Sequence, residues 1–268
     1  MKISFSTLGC PRWSWSEICA TACDLGYDGV EVRGVGKDIS VPTIPQFSED
    51  QIEDTLANLC RLGLSIPCLT SECCLHLSEQ TERTERELLA YIQLAKRLGV
   101  SYVRVMGAAA VPQPIGHIDI SCVREHAQRF GELAASYGVT LLLETNAQWA
   151  DSEKLAKLLD DVHLDSVAAL WDVHHPYRYM HEQPRTTYAN LASWIRHTHI
   201  KDSLPDAERV RYCLPGYGDV PLEEAIGLLH DGGYNGFYSL EWIKRWDLSL
   251  EEPGIVFAHY TSFMRNFV

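Results

Sequence analysis

The chain has 268 residues, 46% of them hydrophobic and 22% charged, with a formal net charge of −13. That is a globular composition with enough length for a sizeable core, and its acidity repels phosphate backbones at long range, which excludes nucleic acid as a default partner. The N-terminal MKISFSTLGC holds one lysine and no apolar run long enough for a signal peptide, and no stretch approaches the roughly 18 apolar residues of a membrane span, so the sequence predicts a cytoplasmic protein without a membrane partner. The nine cysteines are odd in number and contain no C-x-x-C pair, which reads as reduced thiols that pack as small hydrophobes.

In chain order, short apolar runs alternate with longer amphipathic stretches. KISFSTL (2–8) predicts a strand and 16–25 a helix stopped by Gly26. GVEVR (29–33) is followed by a helix over 49–62, which Gly63 ends. LSIPCLT (64–70) precedes the clearest helix, 82–98, where Leu88, Leu89, Ile92, Ala95 and Leu98 share one face. YVRVMG (102–107) and a helix over 122–137 follow, then VTLLLE (139–144) and a helix over 152–159. VAALWD (167–172), a short helix over 188–194, IRHTHIK (195–201), a helix over 222–230, FYSLEW (237–242) and a helix over 253–267 complete the chain.

The phrases DLGYDGVEV, RLGLSI, RLGVSYVRV, SYGVTLLL and DGGYNGFYSL each run from a helix end through a glycine stop into a strand, an internal repeat of supersecondary units. Eight strands alternating with eight helices imply a parallel sheet covered by helices, and eight βα units close into a single (β/α)₈ TIM barrel spanning 1–268. A doubly wound open sheet would carry a G-x-G-x-x-G fingerprint after the first strand, and this chain has none.

Function in such a barrel sits at the C-terminal ends of the strands. Polar residues gather there in the second half of the chain: Glu144 and Asn146 after strand five, Asp172, His174 and His175 after strand six, His199 and Lys201 at strand seven, Glu241 at strand eight. Glu144, Asp172 and His199 are spaced about one βα unit apart. Three carboxylates crowded together need a cation to stay ionised, so Glu144, Asp172, His199 and Glu241 read as ligands of one divalent metal ion. The oxygen-rich set with one imidazole suits Mn²⁺ first, with Mg²⁺, Co²⁺ or Zn²⁺ as the other options. His197 reads as a satisfied core histidine or a partner of a ligand.

The pieces LLLETN, WDVHH, HTHIKD and SLEW, in that order, resemble the xylose isomerase-like TIM barrels, a superfamily of sugar isomerases, epimerases, inositol-catabolic enzymes and endonuclease IV; SLEWIKRW and WDVHHPYR are most similar to its sugar phosphate isomerase/epimerase group. The resemblance covers essentially the whole chain. It implies a metal on Glu144, Asp172, His199 and Glu241, with His175 in the place of a substrate-binding histidine of ketose epimerases. Endonuclease IV needs further histidines from the early strands, where this chain offers Glu31, Arg33, Glu72, His76 and Arg104, which argues against DNA repair.

The remaining polar and aromatic residues carry weaker signals. Glu31 and Arg33 read as an internal ion pair or as substrate contacts, Arg104 as a holder of a carboxylate or phosphate, Trp13 and Trp15 as sugar-stacking rings or barrel caps. Lys201 is placed to stabilise an enolate oxygen or to pair with a carboxylate. LPGYGDVP (214–221) reads as a turn before the helix opened by Pro221. The sequence shows no Arg/Lys cluster for phosphate, which points to an unphosphorylated substrate.

Together these readings predict a metal-dependent isomerase or epimerase of a sugar or cyclitol, with Glu144 and Glu241 as proton carriers and Asn146, His175, Lys201, Arg33, Trp13 and Trp15 as substrate contacts. A dehydratase or lyase on the same site and a non-catalytic sugar-binding barrel are the alternatives. A homo-oligomer is compatible with the chain.

Overall fold

The computed structural model describes residues 1–109, 118–207 and 209–267. Eight strands form one parallel sheet: β1 (Lys2–Ser6), β2 (Gly29–Glu31), β3 (Leu69–Cys74), β4 (Tyr102–Met106), β5 (Thr140–Glu144), β6 (Val167–Asp172), β7 (Ile195–Ile200) and β10 (Phe237–Leu240). Their order is β2-β1-β10-β7-β6-β5-β4-β3. A parallel bridge between Gly29 and Ser65, just ahead of β3, carries that order on from β2. This is the (β/α)₈ barrel that the alternation predicts. β8 (Asp202–Asp206) and β9 (Arg209–Cys213) make a separate antiparallel hairpin.

The chain divides into two compact units, Met1–Pro67 with Thr198–Val268, and Cys68–His197. In the first, α1 (Trp15–Leu25) starts on a capping box: the Ser14 side chain accepts from the Glu17 amide, and Glu17 accepts in return from the Ser14 amide. Trp15, Ile18, Cys19 and Ala22 form its buried stripe, and Gly26 ends it at φ 79°. α2 (Ile52–Leu62), α8 (Leu222–Asp231) and α9 (Pro253–Met264) complete this unit's helices. Phe5 of β1 stacks on Phe257 of α9, with ring centroids 4.0 Å apart.

In the second unit β4, β5 and β6 pair in register, Val103 with Leu141 and Leu141 with Val167. Every residue of β6 is buried, as expected of a parallel strand covered on both faces. Its helices are α3 (Thr81–Leu98), α4 (Ile120–Ala135), α5 (Ser152–Val162), α6 (His174–Met180) and α7 (Pro184–Leu191). Among the described residues no helix is long and apolar enough to cross a membrane.

Four elements differ from the sequence expectation. The third strand lies at Leu69–Cys74 rather than 64–70, because Pro67 has no amide to give to a ladder and splits the apolar run. The short helix starts at Pro184, whose fixed φ suits a first turn, and ends at Leu191 instead of covering 188–194. Helix α6 grows directly out of the Asp172 strand end, where Asp172 accepts from two of its first amides. The hairpin over 202–213 lies where the sequence reading placed no element; Ala207, at φ 49°, makes its reversal.

Candidate active site

In the Cys68–His197 unit, three strands deliver the predicted residues to one end. Glu144 closes β5 and Asp172 closes β6, and these strands are paired. Asp172 is held by backbone: its amide donates to Thr145 Oγ1 (2.9 Å), and its Oδ1 accepts from the amides of His174 (3.0 Å) and His175 (3.2 Å). Arg104 of β4 grips Glu144, Nε to Oε2 at 2.7 Å, while its Nη1 donates to the Ser71 carbonyl at 2.6 Å. The sequence reading of Arg104 as a carboxylate holder is thus met by Glu144. His175 Nδ1 lies 2.9 Å from the Thr145 carbonyl, an acceptor only, so Nδ1 carries the proton. The same Nδ1 is 3.7 Å from Asp172 Oδ2 and 3.8 Å from Glu144 Oε1.

Asn146 opens the turn Ala147–Ala150 and is buried, with an Oδ1 that has no hydrogen-bond partner among the described residues. Trp149 in that turn is buried against Gly107, where an added Cβ would come 2.2 Å from the indole nitrogen. Sequence reasoning missed Trp149; its only signal is a glycine directly after β4, at the strand end where loops must pass closely.

In the other unit, Glu31 closes β2, His199 lies on β7, Lys201 follows β7, and Glu241 follows β10. All four are buried. His199 Nε2 lies 2.9 Å from Glu31 Oε1, so that nitrogen donates to a carboxylate and Nδ1 is the one turned to Glu241 Oε1, at 3.4 Å. Ser239 Oγ donates to Glu31 Oε2 (2.7 Å), which fixes the second oxygen. Lys201 Nζ donates to Glu241 Oε2 at 2.5 Å, so the salt-bridge reading of Lys201 describes what it does here.

The outer candidates behave differently. The Arg33 amide donates to Thr7 Oγ1 (2.9 Å), and its guanidinium reaches the Ile39 carbonyl (3.3 Å). Trp15 is buried edge-on to Phe47, which makes it core packing rather than an open sugar platform. Trp13 is half-buried edge-on to Phe257. The glycine-rich 214–221 segment serves an internal carboxylate: Asp202 accepts from the amides of Gly216 and Gly218 (both 2.9 Å), Val220 (3.3 Å) and Ser203 (2.8 Å). Burial pushes the Asp202 carboxyl above its ordinary range, and those four amides pull against the shift. An added Cβ at Gly218 would sit 2.0 Å from Asp202 Oδ1, so the close approach requires glycine.

Within the Cys68–His197 unit, donor atoms of Asp172, His174 and His175 lie within 4.8 Å of one another, a group that could hold a metal ion.

Comparison with known proteins gives a consistent picture. The model of the family described as xylose isomerase-like TIM barrel matches residues 19–259. Fructoselysine 3-epimerase of Escherichia coli O157:H7 is 24% identical over 264 residues, covering 94% of this chain and 93% of that protein. Among solved structures, the probable 3-DHS dehydratase of Bacillus anthracis superposes with a TM-score of 0.81 at 20% identity, covering 99% of both chains. A xylose isomerase-like TIM barrel protein of Mycobacterium smegmatis, solved in complex with magnesium, gives 0.77 at 19% identity, covering 99% of this chain and 95% of that one.

Proposed function

The chain belongs to the xylose isomerase-like TIM barrel family, and on that premise we propose that it is a metal-dependent epimerase or isomerase acting on a sugar or cyclitol. Glu144, Asp172, His199 and Glu241 are its ligand set for one divalent ion, Mn²⁺ first among the candidates. The observation that carries the reading is the burial of Glu31, Glu144, Asp172 and Glu241 at strand ends, with Arg104 on Glu144 and Lys201 on Glu241. A divalent cation stabilises carboxylates taken out of water. The donor set fits: three carboxylates and an imidazole whose Nδ1 is oriented by the Glu31 hydrogen bond.

When bound, the ion would polarise a substrate carbonyl and acidify the neighbouring C–H. The chain's own residues do the rest. Glu144, at the end of β5, and Glu241, just after β10, are the two proton carriers of this proposal. One carboxylate accepts the proton and the other returns one to the opposite face, which is what epimerisation requires. Arg104 and Lys201 keep the two carboxylates ionised and aimed. His175 and Asn146 are the residues proposed to contact substrate hydroxyls. The curated relative named as a fructoselysine 3-epimerase supports this reading. The likeness to a probable 3-DHS dehydratase supports a second one, a lyase that begins with the same proton abstraction.

Incubation of the purified protein with ketoses, inososes and keto-acids in D₂O separates the readings. An epimerase places deuterium in both substrate and product, and a lyase releases water. Binding without exchange across the whole panel would leave only a sugar-binding barrel and overturn the proposal.

A further inference from the structure

In the unit built from Met1–Pro67 and Thr198–Val268, the chain passes from one sheet to another at a single residue. β7 ends at Ile200 and the hairpin strand β8 begins at Asp202, so Lys201 stands between a strand of the barrel and a strand of the hairpin. Upstream, Ile200 pairs with Leu240, and its carbonyl accepts from the Glu241 amide (3.1 Å). That bond ties the backbone entering Lys201 to the backbone of the carboxylate that its ammonium meets, Nζ to Oε2 at 2.5 Å. Downstream the chain belongs to the hairpin, and the hold comes from a side chain.

Asp202 supplies it. Its Oδ2 accepts from the amides of Gly216 and Gly218, and its Oδ1 from those of Ser203 and Val220. One buried carboxylate thus joins the strand leaving β7 to the loop that leads into α8. The loop is backed in turn by α9: His259 Nε2 donates to the Pro215 carbonyl (2.7 Å), and the Tyr217 ring lies 5.4 Å from the His259 ring. Four N–H donors around two oxygens demand a group that only accepts. An asparagine of the same shape would turn its NH₂ toward one of the two pairs of amides. Fixing the backbone on both sides of Lys201 matters because its flexible four-carbon stem loses much rotamer freedom when ordered.

We propose that Asp202 is a positioning residue: by fastening the glycine-rich loop to the exit of β7, it holds the Lys201 ammonium on Glu241. The inference rests on the function proposed above for the use to which Glu241 is put. It gives the 214–221 segment a part in the site that requires no contact with substrate.

The test uses the full-length, metal-free protein labelled with ¹⁵N-lysine and reads the ammonium resonances of Lys201 and Lys244, assigned with Lys201→Met and Lys244→Met. Lys244 is buried in the same unit, with its Nζ on the Leu248 carbonyl (3.1 Å) and on Glu252 Oε1 (3.0 Å), and is the internal control. In the wild type the Lys201 ammonium protons should exchange with water slowly enough to be seen at low temperature. A Lys201 signal lost to exchange like that of exposed Lys37 overturns the proposal. In Asp202→Asn the exchange at Lys201 should quicken about 10- to 100-fold, and its ¹⁵N shift should move toward the one in Glu241→Gln, while Lys244 stays as in the wild type. Gly218→Ala, whose added Cβ would meet Asp202 Oδ1 at 2.0 Å, should do the same with the carboxylate intact. In chains with wild-type circular dichroism, Lys201 and Lys244 moving together, or neither moving, overturns the proposal. The wild-type and Gly218→Ala readings decide even if Asp202→Asn fails to fold. Mn²⁺ uptake is measured in parallel. Wild-type uptake with Lys201 unmoved in the variants sinks this inference alone, whereas a Lys201 that answers to Asp202 in a chain that takes up no divalent ion sinks the proposed function.

Discussion

The Cys68–His197 unit and the other unit each hold a buried glutamate, with different parts. Glu144 pairs with a guanidinium at 2.7 Å and Glu241 with an ammonium at 2.5 Å. Around Glu144 the supports are largely backbone: Asp172 is held by two helix amides, His175 by the Thr145 carbonyl, and Arg104 by the Ser71 carbonyl. Around Glu241 they are side chains: Glu31 holds His199, Ser239 holds Glu31, and Lys201 holds Glu241. Arginine keeps its charge under all ordinary conditions, whereas a buried lysine can lose its proton.

The largest test of that asymmetry is chemical. Glu144→Gln and Glu241→Gln should each cut turnover by about 10²–10⁴-fold while keeping part of the metal binding. They should differ in which substrate epimer still exchanges its proton with D₂O. Near wild-type turnover in both, with metal bound, would shift the role of base to His175 or Lys201.

Breaking the cations comes next. Arg104→Met and Lys201→Met each leave a buried carboxylate uncompensated, and each should lower the unfolding free energy of the metal-free protein by about 3–5 kcal/mol in urea. A loss in only one of them would show that the other pair is not formed in solution.

Glu31 orients a proposed ligand, His199, through a side-chain hydrogen bond. Glu31→Gln should weaken Mn²⁺ binding about 10- to 100-fold. Imidazole ¹⁵N spectra of the metal-free protein should show His199 moving from a single Nε2–H tautomer to a mixture. Unchanged affinity and an unchanged tautomer would remove Glu31 from the account.

How much of this was legible follows the same division. Glu144, Asp172, His199 and Glu241 stand at or within one residue of strand ends, because an apolar run that stops at a charged residue marks both the strand and its mouth. Backbone supports such as the Asp172 cap are local, and DVHH carries them. Glu31 and His199 lie 168 residues apart, and no local pattern ties them together. The hairpin over 202–213 and the carboxylate of Asp202 within the glycine loop were equally hidden, since a glycine-rich segment looks the same whether it cradles a ligand or an internal side chain. Trp15 misled because an aromatic residue beside a strand end reads alike on either side of a helix.

The smallest effects lie away from the site and calibrate the rest. Ser14→Ala in one unit and Asp151→Ala in the other each remove a helix cap and should cost about 1 kcal/mol in thermal or urea unfolding. Neither should change metal content; a change would mean that local helix stability, rather than ligand chemistry, governs the site.

The most direct measurement of the central claim is metal stoichiometry. Purified protein stripped with chelator, incubated with Mn²⁺ and desalted, should carry one ion per chain by elemental analysis. Asp172→Asn and His199→Ala should each abolish most of that uptake while the far-ultraviolet circular dichroism stays unchanged. Wild-type protein that remains metal-free after Mn²⁺, Mg²⁺, Co²⁺ and Zn²⁺, or variants that bind as wild type does, would contradict the four-residue site.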